Sequence, residues 1–305
     1  MPVVVIGADT PVGRALVPLL RQRGSEVRAT IREADKADPL RALGAKVAAD
    51  PASDADMLRA ILDEAHTVCL VSADLFPPGD ESYDEAIVER TRSVLRVARK
   101  AGVTRVLLVS YPGVSSTSTN DFLRSMGLAE EDVRDSGLEH AILRCTHIYG
   151  PESAWLEFMA EASRHRPAVV VGPGTQRLAP VFSGDVARAL AAADDRAVPV
   201  SGTYGIQGPD VITANELADL LGPSGGRKRH IRAEENLPDS LVSGRLAGRW
   251  SRTIGEVLAA DCLADAPDAT DEFALRPTPL SAGLARAGIE PNGGADPRGG
   301  AHRLR

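Results

Sequence analysis

The sequence predicts an α/β fold in which a doubly wound parallel sheet carries helices on both faces, and three observations predict it. Residues 2–6 form an unbroken run of mostly β-branched apolar side chains, the pattern of a strand buried on both faces. Val12, Ala15, Leu16, Leu19 and Leu20 then recur at helical spacing as far as Gly24, so a strand, a turn at Gly7 and a helix follow one another. The same alternation of short apolar strands with helices continues through about the first half of the chain.

The remaining elements follow in order. Residues 26–31 read as the second strand, 38–43 as a short helix and 45–49 as the third strand. Asp54 caps a helix that runs through Leu62, and 67–71 is the fourth strand. A long helix spans 82–101 and stops at Gly102, ahead of the continuous apolar fifth strand, 105–109. The sixth strand, 140–143, follows a helix whose end is marked by Ser136 and Gly137. Right-handed crossovers favour the order 3-2-1-4-5-6, a Rossmann-type sheet. After residue 150, glycine and proline recur in pairs, so 151–290 reads as a smaller lobe of short elements. Residues 291–305 have no apolar period and read as a disordered tail.

Composition narrows the function. The 305 residues are 43% hydrophobic with no run of membrane-spanning length, which predicts a soluble protein that needs no membrane partner. A formal charge of -7 argues against a phosphate-backbone binder, so no nucleic-acid partner is expected. Residue 1 leads directly into the first strand, so no secretion signal is visible and a cytoplasmic location is expected. Cys69, Cys145 and Cys262 lie far apart and read as reduced thiols. No cysteine or histidine pair has metal-ligand spacing, so no structural metal is expected. The remaining partner is a small-molecule substrate, bound by a monomer or homodimer.

A helix that starts at a glycine turn offers unpaired N–H groups and the positive end of its dipole, so a pyrophosphate is the natural guest above Gly7. The stretch VIGADTPVGRAL at 5–16, followed by EVRATIR at 26–32, resembles the nucleotide-binding start of atypical and extended short-chain dehydrogenase/reductases, especially their NmrA-like members. The segments FSGDVARAL at 182–190, GTYGIQ at 202–207, TANELADLL at 213–221 and RPTPLSAGL at 276–284 resemble the same family. The resemblance implies a dinucleotide-binding Rossmann domain over 1–150 and a substrate lobe interleaved with late sheet elements beyond it. It also implies that Gly7, Asp9, Thr10, Val12 and Gly13 form the pyrophosphate turn. Thr10 replaces the middle glycine of the family's GxxGxxG pattern, and its hydroxyl has a proton to offer a phosphate oxygen.

Cofactor choice is written after the second strand, where an acidic residue selects NAD and an arginine accommodates the extra phosphate of NADP. Arg32, with Lys36 four residues on, predicts NADP or NADPH, with NAD the weaker alternative. By resemblance, Asp50 meets the adenine amino group. Ser72, Ala73 and Thr146 lie at strand ends where such sheets bind their ligands.

Catalysis is less orthodox. The family's usual Tyr-x-x-x-Lys is absent, because Tyr83, Tyr111, Tyr149 and Tyr204 precede Ile87, Ser115, Ser153 and Gly208 by four residues. The family's lysine would fall near Met126. What remains is Ser110, which matches the family's serine facing the nicotinamide, with Tyr111 and His147 as alternative proton donors. His147 lies in HIYGP at 147–151, which resembles the extended family's loop beside the nicotinamide, and Tyr149 reads as packing between the lobes. The first expectation is an NADPH-dependent reductase of a small carbonyl or quinone-like metabolite. The alternatives are a non-catalytic dinucleotide sensor and, less well matched, a sugar-nucleotide epimerase or dehydratase.

Overall fold

Short apolar segments joined by tight turns leave the chain little freedom except to stack strand beside strand, as a computed structural model shows. It describes residues 2–51, 54–72, 74–76, 81–195, 201–223, 225–238, 241 and 250–289. Ala73 and the tail at 291–305 lie outside the described residues. The first part of the chain is β1 (Val3–Ile6), α1 (Pro11–Gln22), β2 (Val27–Ile31), α2 (Ala37–Ala42), β3 (Lys46–Ala49), α3 (Ala55–Leu62), β4 (Thr67–Leu70), α4 (Arg90–Ala101), β5 (Arg105–Ser110), α5 (Asp121–Arg134) and β6 (Glu139–Cys145). The helix expected from 82 opens instead as a π-helical segment, Asp84–Glu89, before α4 takes over.

The later elements are β7 (Ile148–Tyr149), α6 (Ala154–Arg164), β8 (Ala168–Val171), β9 (Arg177–Leu178), β10 (Val181–Phe182), α7 (Ser183–Asp194), β11 (Ser201–Ile206), β12 (Ile212–Thr213), α8 (Ala214–Leu221), β13 (Lys228–Ile231), α9 (Arg252–Ala259), α10 (Ala269–Glu272) and α11 (Leu280–Arg286). The central sheet has seven parallel strands in the order β3-β2-β1-β4-β5-β6-β11. The order 3-2-1-4-5-6 expected from the sequence is thus present and extended by one strand. Short pairs β7·β10, β9·β12 and β8·β13 stand beside it.

Alternation along each strand sorts the core. Val3 and Val5 pack with α1 and α7, whereas Val4 and Ile6 pack with α3 and α4. A third cluster joins α5, α6, α8 and α9 around Phe122, Met126, Phe158 and Leu217. Tyr149 is buried there, and its hydroxyl donates to the Leu280 carbonyl, so it packs beneath α11. Cys69, Cys145 and Cys262 are buried free thiols. Among the described residues no helix is long and apolar enough to cross a membrane.

Candidate active site

The carboxyl ends of β1, β2, β4, β5 and β6 open on one side of the sheet, where α/β folds place their ligands. At β1 the backbone of Gly7 has φ +89°, and a β-carbon there would come within 2.7 Å of Ser72. At Gly13 it would come within 2.5 Å of the Ala8 backbone. Strand, turn and helix are therefore in direct backbone contact, so main chain rather than side chain faces the helix end. Val12 is buried against the sheet beside them.

Thr10 caps α1 and differs from expectation. Its hydroxyl donates to the Gly7 carbonyl at 2.8 Å and accepts from Gly13 N–H at 3.1 Å. The proton expected to face a phosphate thus closes the turn on itself, and capping contributes about 1 kcal/mol. Asp9 ties the same turn to β2, its Oδ2 accepting from the N–H groups of Arg32 and Glu33 at 2.7 and 3.0 Å. Its other oxygen, Oδ1, is buried with no hydrogen-bond partner.

Arg32 stands beside Ser72, its guanidinium 3.4 Å from the Ser72 carbonyl. Lys36 Nζ lies 2.5 Å from Glu152 Oε2, and Arg14 pairs with the same oxygen. The two cations hold the Glu152 carboxyl well below the usual range, down to about 2. Asp50, assigned by resemblance to the adenine, is ion-paired at 3.0 Å with Arg90, whose side chain is buried. Its carboxylate compensates a buried guanidinium that also meets Glu81 at 3.6 Å, so a base that drew Asp50 away would remove one of two counter-charges.

At the ends of β5 and β6 the three residues Ser110, Tyr111 and His147 line one cavity but make separate hydrogen bonds. The Ser110 hydroxyl donates to Glu130 Oε1 at 2.6 Å, inside a buried cluster in which Arg144 contributes two further hydrogen bonds at 2.9 and 2.7 Å. The hydroxyl proton of Ser110 is thereby committed to a carboxylate. Burial pushes the Glu130 carboxyl up, but the donors Arg144 and Ser110 outweigh burial and hold it below its ordinary value. Thr146 is also occupied, its hydroxyl donating to the Ala179 carbonyl at 2.6 Å.

Tyr111 and His147, in contrast, meet. The Tyr111 hydroxyl lies 3.2 Å from His147 Nδ1 and donates to Cys262 Sγ at 3.0 Å. His147 stacks on Trp155 with ring centroids 4.9 Å apart. Burial raises the Tyr111 phenol well above its ordinary value, lifts the Cys262 thiol to about 12 and lowers His147 to about 3. His147 is therefore an uncharged imidazole at neutral pH and not the cationic proton donor that its type suggested. Tyr111 and His147 border a cavity of about 80 Å³, lined also by Ser110, Thr146, Phe122, Met126 and Trp155. Phe122 and Met126 stand on the buried face of α5 at i and i+4, so carbon and sulfur occupy the position near which the resemblance puts the family's lysine and the position four residues before it.

Burial of a neutral histidine has a consequence for stability. The unfolded chain takes up a proton on His147 below about pH 6.5 that the folded chain refuses down to about 3, so stability falls as pH falls through that window. Between pH 6.5 and 5 the loss is about 2 kcal/mol. Urea midpoints measured across this range should fall in the native protein and fall less in His147→Gln. Identical slopes would show that the imidazole is not buried uncharged.

Sequence reasoning missed Glu152, Glu130, Phe122, Trp155 and Cys262. Glu130 had a signal, since 122, 126 and 130 lie in phase on the buried face of α5, where a carboxylate needs partners. Glu152 had none, because its partners are 116 and 138 residues away.

A sequence family described as NAD(P)H-binding matches residues 7–193. A mitochondrial protein of Arabidopsis thaliana, NADH dehydrogenase [ubiquinone] 1 alpha subcomplex subunit 9, is 30% identical over 229 residues, covering 71% of this chain. The match spans 56% of that plant protein, a little over half its length. The NAD(P)H azoreductase of Xenophilus azovorans is 23% identical over 290 residues, 93% of this chain and 97% of the other. Among solved structures, MoeE5 in complex with UDP-glucose and NAD superposes with a TM-score of 0.68 at 21% identity, over 94% of this chain and 97% of that one.

Proposed function

The chain belongs to the NAD(P)H-binding family of atypical, NmrA-like short-chain dehydrogenase/reductases, and from that membership we propose that it is an NADPH-dependent reductase of a small, planar, conjugated acceptor. The observation that carries the proposal is the cavity beside Tyr111, where the apolar or aromatic side chains Leu75, Phe122, Met126 and Trp155 form a wall and Asp74, Ser110 and Thr146 supply the polar lining. Such a wall favours a neutral ring system over a charged sugar. Similarity to an enzyme named for NAD(P)H-dependent azo reduction, along nearly its whole length, supports the same class of acceptor.

The residues present fit a dinucleotide. Gly7 and Gly13 keep side chains out of the β1–α1 turn, and Arg32 and Lys36 stand after β2 where a ribose phosphate needs cations. The cofactor would supply hydride. Tyr111 holds a proton at the cavity, its hydroxyl lying between His147 and Cys262, and its raised pKa makes it a weak acid. A weak acid suffices only where the acceptor spreads its own developing charge, which selects quinone-like, azo or conjugated carbonyl groups.

The test is NADPH consumption by the purified protein against quinones, azo dyes, conjugated carbonyls and simple ketones. Turnover of the first three classes is expected, with no oxidation of simple alcohols by NADP. An Arg32→Ala, Lys36→Ala double variant should bring NADPH affinity down to that for NADH. Tight NADPH binding without turnover of any acceptor would overturn the reductase reading. The second reading, a dinucleotide sensor, would then stand, favoured by Met126 near the position of the missing lysine, by Phe122 four residues before it and by the commitment of Ser110 to Glu130.

A further inference from the structure

We propose that Glu152 is an internal stand-in for the cofactor's ribose phosphate, clasping Arg14 and Lys36 across the dinucleotide cleft until a phosphate displaces it. The inference rests on the NADPH reading above and adds to it a residue that sets cofactor discrimination.

The first ground is topology. Glu152 lies between β7 and α6, Arg14 follows Gly13 in the first turn of α1, and Lys36 precedes α2. Arg14 also donates to the Pro151 carbonyl at 2.7 Å. The loop that leaves the β6 side of the cleft thus reaches both segments that frame its adenosine side. It is anchored at each end. β7 pairs with β10, and Ser153 caps α6 while donating to the Ile148 carbonyl at 3.1 Å.

The second ground is the backbone. Glu152 has φ +58°, a left-handed conformation that residues with a β-carbon disfavour. Such a conformation persists where surrounding contacts hold it, and the contacts here are the two ion pairs and the anchored loop.

The third ground is chemistry. One lysine and one arginine on a single carboxylate oxygen form the recognition set of a phosphate monoester. At neutral pH such a phosphate carries roughly −1.5 to −2 charges against one for a carboxylate, so it competes for the cations. An unphosphorylated ribose diol carries no charge and leaves the clasp closed. The strength is modest, because the Glu152 side chain is 46% exposed and solvent screens the pair.

Calorimetric titration of the full chain with NADPH, NADH, 2′,5′-ADP and 5′-ADP, in the native protein and in Glu152→Gln, tests the proposal. Removing the competing charge should tighten NADPH and 2′,5′-ADP by about three- to tenfold, while NADH and 5′-ADP change less than about twofold. Glu152→Ala should behave as Glu152→Gln does. NADPH affinity that is unchanged or weaker in both variants would overturn the clasp, and so would an equal gain for NADH, which would mean simple obstruction. These outcomes are distinct from failure of the reductase and sensor readings together, in which neither protein binds any dinucleotide and the clasp falls with them.

Discussion

Gly13→Val should abolish dinucleotide binding, weakening it by about a hundredfold or more, while the protein still folds with a lowered melting temperature. A β-carbon at this position would lie 2.5 Å from Ala8 Cα and from the Gly7 carbonyl oxygen, and neither backbone atom can rotate away. The turn must open, which costs about 1–3 kcal/mol in packing and separates the helix end from the strand it serves. Gly24 provides the control. Its φ is positive, +81°, unlike that of Gly13, and nothing lies within 4 Å of its missing β-carbon. Gly24→Ala should cost about 1 kcal/mol of backbone strain and leave dinucleotide affinity within about twofold. Calorimetry and thermal melts on the two variants separate the effects. Normal binding by Gly13→Val would mean that the turn does not cradle the cofactor.

Glu130→Ala should destabilise the fold by about 3–5 kcal/mol, since removing one member of a buried ion cluster strands the others. Glu130 is 1% exposed and accepts from Ser110, Arg144 and Arg134, joining α5 to the ends of β5 and β6. The sign of its pH dependence follows from the direction of its shift. The carboxyl is held below its ordinary value, so its contribution is complete above about pH 4.5 and is lost as pH falls below that. Glu130→Gln keeps the shape and one acceptor oxygen, and should lose less. Urea unfolding at pH 7 measures both. A loss under about 1 kcal/mol for the alanine variant would mean that water replaces the carboxylate.

What was legible in the sequence was local. The first turn could be read because a strand, two glycines and a helical period follow one another within twenty residues, and each constrains backbone geometry by itself. β11 was not legible from periodicity, because SGTYGI contains two glycines and no apolar run. Its identification as a late sheet element came from resemblance, and its strand geometry comes from the open edge of β6. The neutrality of His147 was equally hidden, since a histidine's charge depends on what buries it, and Trp155 and Cys262 arrive from other elements. The pairing of Ser110 with Glu130 and of Asp50 with Arg90 is likewise long-range, and residue type alone left Ser110 and Asp50 open to functional readings.

The seventh strand also bears on how the polypeptide is made. During translation β6 emerges with one side unpaired, and its eventual neighbour follows only after β7 to β10, α6 and α7 have been synthesised. Until then the nascent chain displays a free row of N–H and C=O groups on an apolar strand, the template on which chains join edge to edge. The face of α1 that meets α7 waits through much of the same interval. Rapid protein production therefore crowds together many half-finished sheets with that edge bare, whereas slower elongation or lower temperature gives each chain time to complete its own.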